Sequence, residues 1–153
     1  MCQAVRVPDS DWPTAVAILR LASELVDGIQ KGVVRRGFDD VRPAHGFAFA
    51  RISAGEATTS DVATHLGVTK QAAAQLVDYL VAHDYVERRP DPRDARARLL
   101  LLTKRGRACT EAAEEAASEI VTIWKEHLGP RAFDHLQVAL AGLGGSGGLR
   151  PTW

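Results

Sequence analysis

The sequence predicts a mainly α chain with a small β-hairpin wing: a winged helix-turn-helix set between N- and C-terminal dimerisation helices. Three observations predict it. Apolar residues recur at helical spacing through most of the chain; two short helical segments meet at a glycine turn; and a basic, proline-tipped hairpin follows the second of them directly.

The elements are predicted in order. From Trp12 to about Val34, apolar residues at Ala15, Ile18, Leu19, Ala22, Leu25, Val26, Ile29 and Val33 mark one long helix. Ser10 or Asp11 caps it, Pro13 is tolerated in its first turn, and Gly37 stops it. Pro43 opens a second helix through Ser53, ended by Gly55. Thr58 and Asp61 form a capping box for a short third helix, which Gly67 closes as a left-handed C-cap. Thr69 caps the fourth helix, which turns Ala73, Leu76, Val77, Leu80 and Val81 inward. Residues 85–89 and 97–102 read as strands. The Pro90–Asp94 tip is expected to be loop, because two prolines two apart do not suit a ladder. Thr103 caps a long fifth helix to about Leu128, Gly129-Pro130 breaks the chain, and a last helix runs to Leu143. The expected organisation is a flexible 1–10, a single unit over 11–143 and a flexible Gly-rich 144–153. Within the unit, 44–103 is the winged part, and 11–36 and 104–143 are the helical dimerisation part.

Composition narrows the function classes. The chain is 46% apolar and 25% charged, the balance of a soluble globular protein. No apolar run reaches the ~18 residues of a membrane span, and the first residues show no basic-then-apolar leader. With two cysteines, Cys2 and Cys109, the expectation is free thiols, a cytoplasmic location and no membrane partner. Net charge is zero but unevenly spread: residues 85–107 carry eight basic against three acidic side chains, and residues 108–153 carry three against six. One face therefore suits an anion.

The helix pair supplies the chemistry. A recognition helix enters a major groove N-terminus first, so its first turn must carry side chains that reach bases or phosphates. Here that turn holds Thr69, Lys70 and Gln71, with Gln75 one turn on. Gln pairs well with adenine and Lys with guanine, and Ala72 to Ala74 allow close backbone approach. An ordinary helical hairpin with a solvated end is the alternative. The wing that follows weakens that alternative. Arg93 and Arg96 suit the negative potential of a narrow minor groove, and Asp94 is expected to accept the Arg96 fork. The partner is therefore double-stranded DNA, with helix 69–83 in the major groove and wing 90–97 in the minor groove.

The stretch TTSDVATHLGVTKQAAAQLVDYLVAHDYVERRPDPRDARARLLLLTKRGRA resembles the core of the MarR family of bacterial transcription regulators. GVTKQA opens the recognition helix, LVDYL closes it, DPRDAR forms the wing and LTKRG leads into the long helix, a dense match over about residues 44–107. The resemblance implies DNA contacts at Thr69, Lys70, Gln71, Gln75, Arg93 and Arg96, with the wing Asp-x-Arg pair at Asp94 and Arg96. It also implies an obligate homodimer, for which Ile18, Leu25, Ile120, Trp124, Phe133, Leu136 and Leu140 are the candidate interface residues. The terminal helices carry more apolar surface than a small winged domain can bury, which points the same way.

Further expectations concern an effector, redox chemistry and metals. Relatives that bind aromatic or phenolic anions make Trp12, His45, Phe49 and Arg51 candidates for a small aromatic effector; packing and surface roles are the alternatives. Relatives that sense oxidants raise a redox role for Cys2 or Cys109. No His or Cys spacing suits a metal, so no metal site and no cofactor is expected. No phosphate loop, nucleophile elbow or HExxH motif is present, so the expected function is that of a regulator, a repressor at a pseudo-palindrome, rather than an enzyme. A winged helix used for protein contacts alone is the remaining alternative.

Overall fold

A computed structural model describes residues 11–143. They form α1 (Asp11–Arg35), α2 (Pro43–Ser53), α3 (Thr59–Leu66), α4 (Lys70–Ala82), β1 (Val86–Asp91), β2 (Asp94–Leu102), α5 (Lys104–Leu128) and α6 (Pro130–Leu143). The expected flexible segments 1–10 and 144–153, with Ser10 and Cys2, lie outside the described residues.

Local chemistry explains the boundaries. The Thr58 hydroxyl accepts from the Asp61 amide at 3.3 Å, and the Asp61 carboxylate accepts from the Thr58 amide at 2.7 Å. The Thr58 hydroxyl also donates to the Asp61 carboxylate at 2.7 Å, and this bond, with the one from the Thr58 amide, holds the Asp61 carboxyl below its ordinary range. Gly67 closes α3 at φ +67°, a left-handed turn that a side chain would resist. Thr69 caps α4 through the Ala72 amide at 3.1 Å, and Thr103 caps α5 through the Gly106 amide at 3.0 Å. α2 begins differently: the His45 ring nitrogen accepts from the Arg42 amide at 3.1 Å.

The winged part encloses the core. Ala48, Phe49 and Ile52 of α2, Val62 and Leu66 of α3, and Ala73, Val77 and Leu80 of α4 are buried around Tyr85, Val86 and Leu100. β1 and β2 pair antiparallel with Val86 opposite Leu102 and Pro90 opposite Arg98. On the other side of β2, Ala57 accepts from the Leu100 amide at 2.8 Å. β1 is thus an edge strand among the described residues, and this corrects the expected wing boundary. The strands reach Asp91 and Asp94 rather than stopping at 89 and starting at 97. Pro90 is accommodated because an edge strand can do without one outward amide, and the register breaks just after it.

The long helices α1 and α5 pack closely. A Cβ on Gly32 would come within 2.3 Å of the Ala116 Cβ, and one on Gly28 within 2.7 Å of Ile120. Arg36, just past the end of α1, seals the crossing, donating to Glu115 at 3.0 Å and Glu119 at 2.7 Å. Two of the expected interface residues therefore work inside the chain: Ile120 lies against Gly28, and Phe133 is buried. Ile18 and Leu140 remain 59% and 57% exposed. Leu25, Trp124 and Leu136 are half-buried. No described helix is long and apolar enough to cross a membrane.

Candidate nucleic-acid interface

α4 shows opposite characters on its two faces. Ala73, Val77 and Leu80 are buried, while Lys70, Gln71, Ala72 and Gln75 are exposed, as is the capping Thr69. Among the described residues, the side chains of Lys70, Gln71 and Gln75 have no partner. Gln71, Gln75 and Asp78 follow at i, i+4 and i+7 along one face. Asp78 ends that line by accepting from Arg88 of β1 at 2.6 Å, which fixes the helix relative to the hairpin. Nothing in the sequence singles out Arg88, because its partner is set by the fold.

The wing separates its arginines. Asp94 accepts from the backbone amide of Arg96 at 2.9 Å, closing a short turn, and does not take the guanidinium as expected. Two residues of separation favour this side-chain-to-backbone bond over a fork contact. The exposed Arg96 guanidinium has no partner among the described residues. Arg93 differs: it donates to Glu56 and, at 3.3 Å, to Asp91, whose carboxyl its amide and side chain hold below the ordinary range. Between wing and α3 lies an open cleft of about 510 Å³, lined by Thr59, Ser60, Arg88, Arg96 and Arg98.

Behind this surface, a network joins the α1–α2 turn to the hairpin and α5. Asp40 accepts from the Tyr85 hydroxyl at 2.5 Å and from Arg105 at 3.2 Å, and its backbone carbonyl accepts from Tyr79 at 2.7 Å. Arg105 also lies 4.6 Å from the Tyr85 ring centroid. Burial alone would raise the Asp40 carboxyl, but the Tyr85 hydroxyl and Arg105 outweigh it and hold it below its ordinary range. A carboxyl depressed in the folded state adds stability above its unfolded value near 3.9, and that stability is lost as pH falls through the folded value. Urea unfolding of Asp40→Asn is therefore expected to show lower stability at pH 7 and a smaller further loss below about pH 4 than the parent. An unchanged acid limb would mean that Asp40 contributes nothing to it.

The structure does not gather the four effector candidates within one chain. Phe49 is buried, 5.7 Å from the Tyr85 ring. His45 stacks on Tyr79 at 4.9 Å, and burial pushes its pKa down. Arg51 donates to the carbonyls of Gly55 at 3.1 Å and Glu56 at 3.2 Å. Trp12 is exposed, about 27 Å along α1 from Gln30, which binds the Val41 carbonyl beside α2. Cys109 is buried, and burial pushes its thiol up to about 11, away from the reactive thiolate.

Residues 39–97 match a family model described as MarR family. Solved structures share the fold. The transcriptional regulator Tm0710 from Thermotoga maritima is 25% identical, covers 86% of this chain and 92% of its own, and has a TM-score of 0.69. RV1404 from Mycobacterium tuberculosis is 24% identical, covers 94% and 100%, and has a TM-score of 0.77. A MepR mutant from S. aureus, bound to an oligodeoxyribonucleotide, is 17% identical, covers 85% and 94%, and has a TM-score of 0.63. No curated protein matches the chain.

Proposed function

From the match of residues 39–97 to the MarR family model, we propose that the chain is a MarR-type, sequence-specific, DNA-binding transcription regulator. It acts in the cytoplasm as a homodimeric repressor on a pseudo-palindromic operator. The observation that carries this reading is the exposed Lys70 and Gln71 in the first turn of α4, with Gln75 one turn on, all unpartnered among the described residues, beside a wing whose Arg96 guanidinium is likewise unpartnered among them. α4 enters the major groove and Arg96 the adjacent minor groove. The oligodeoxyribonucleotide on the similar S. aureus protein supports the same use of the fold. Exposed Ile18 and Leu140 supply the apolar surface of a second-copy interface.

Selection from a randomised duplex pool tests this. Inverted repeats with half-sites about 34–36 Å apart should be enriched; enrichment of no sequence would overturn the reading. On the selected duplex, Arg96→Ala should cost about 1–3 kcal/mol of affinity with circular dichroism unchanged. Parent-like affinity would remove Arg96 from the interface.

A further inference from the structure

Arg93 and Arg96 stand three residues apart in the wing, yet their surroundings differ. The Arg93 guanidinium is shared by two carboxylates, Glu56 from the α2–α3 connection and Asp91 from β1, and its amide also donates to Asp91 at 2.8 Å. Turning Arg93 to a phosphate would break both ion pairs and leave two carboxylates facing a polyanion. Arg96 carries no such cost. Glu56 is also well anchored. Its neighbour Ala57 is bonded to β2 at 2.8 Å, and Arg51 holds the Gly55 and Glu56 carbonyls.

We propose that Arg93 and Glu56 are positioning residues: their ion pair tethers the wing tip to the α2–α3 connection and so sets how far Arg96 reaches into DNA. This rests on the DNA-binding reading above. It reassigns Arg93 from contacting DNA to aiming the wing, and gives Glu56 and Arg51 a shared role in holding the anchor.

The test measures affinity against salt for the full-length parent, Arg93→Gln, Glu56→Gln and Arg96→Gln on one selected duplex. Removing one phosphate-neutralising side chain lowers the log–log salt slope by about 0.9, hence about 1.8 for a dimer with two wings. Arg96→Gln should flatten the slope by that much. Arg93→Gln and Glu56→Gln should each weaken binding about fivefold at 0.15 M salt, with the parent's slope, and together no more than either alone. A slope change for Arg93→Gln like that of Arg96→Gln, or tighter binding by Glu56→Gln, would overturn the tether and make Glu56 a competitor of DNA for Arg93. Hydrogen exchange of the free protein gives a second reading that needs no DNA. Glu56→Gln should speed exchange of the wing amides about fivefold, and unchanged exchange would overturn the tether. Absence of DNA binding by the parent would instead refute the functional reading, leaving the exchange result to judge the tether.

Discussion

Gly106→Ala should lower stability by about 3 kcal/mol, although alanine is the better helix former by about 1 kcal/mol. Gly106 is the third residue of α5, where the helix crosses the start of the hairpin. A Cβ there would lie 2.1 Å from the Tyr85 carbonyl oxygen, and that atom is backbone, which no rotamer change can move aside. The same carbonyl accepts from the Thr103 amide at 3.1 Å, and Thr103 caps the Gly106 amide. Relieving the clash means displacing the first turn of α5, and Arg105 with it, away from Asp40 and Tyr85. Steric cost therefore exceeds the propensity gain. Urea unfolding at pH 7 reads the result, and a variant as stable as the parent would show that α5 can move away from Tyr85 at little cost.

Replacing Leu136 and Leu140 together by Asp should convert a dimer into a monomer of 16.5 kDa and abolish operator binding. The two side chains lie i, i+4 on α6; Leu136 is half-buried and Leu140 is 57% exposed. Val138 and Leu143 on the same helix are 74% and 81% exposed. Buried carboxylates at a second-copy interface would each lack a partner, a cost that interface packing does not offset. One recognition helix contacts few base pairs, so the monomer loses the address that two half-sites supply. Light scattering at tens of micromolar gives the mass. A parent that is already monomeric, or a variant that stays dimeric, would move the interface away from α6.

What is legible in the sequence is local. Thr58, Gly67, Thr69 and Thr103 mark helix ends because a cap and its target lie within three or four residues. The exposed turn Thr69–Gln71 follows from α4 periodicity in the same way. Pro90 misleads, because a proline excludes a central strand but not an edge strand, and edges are decided by what else joins the sheet. The partners of the arginines are not legible either. Arg93 meets Glu56 across 37 residues and Arg105 meets Asp40 across 65. Spacing suggests Asp94 as the Arg96 partner, but the turn geometry gives that carboxylate to the Arg96 amide instead. Phe49 and Arg51 look like ligand residues from type alone, whereas the fold assigns one to the core and the other to the α2–α3 connection.

The most direct test of the central claim is the affinity of the parent chain for a mixed-sequence DNA duplex across a salt series. A DNA regulator using Lys70 and Arg96 in two copies should bind at low salt and weaken steeply as salt rises, with log affinity falling linearly against log salt at a slope of about −3.6 or steeper. No binding at about 50 mM salt, or binding indifferent to salt, would contradict the account.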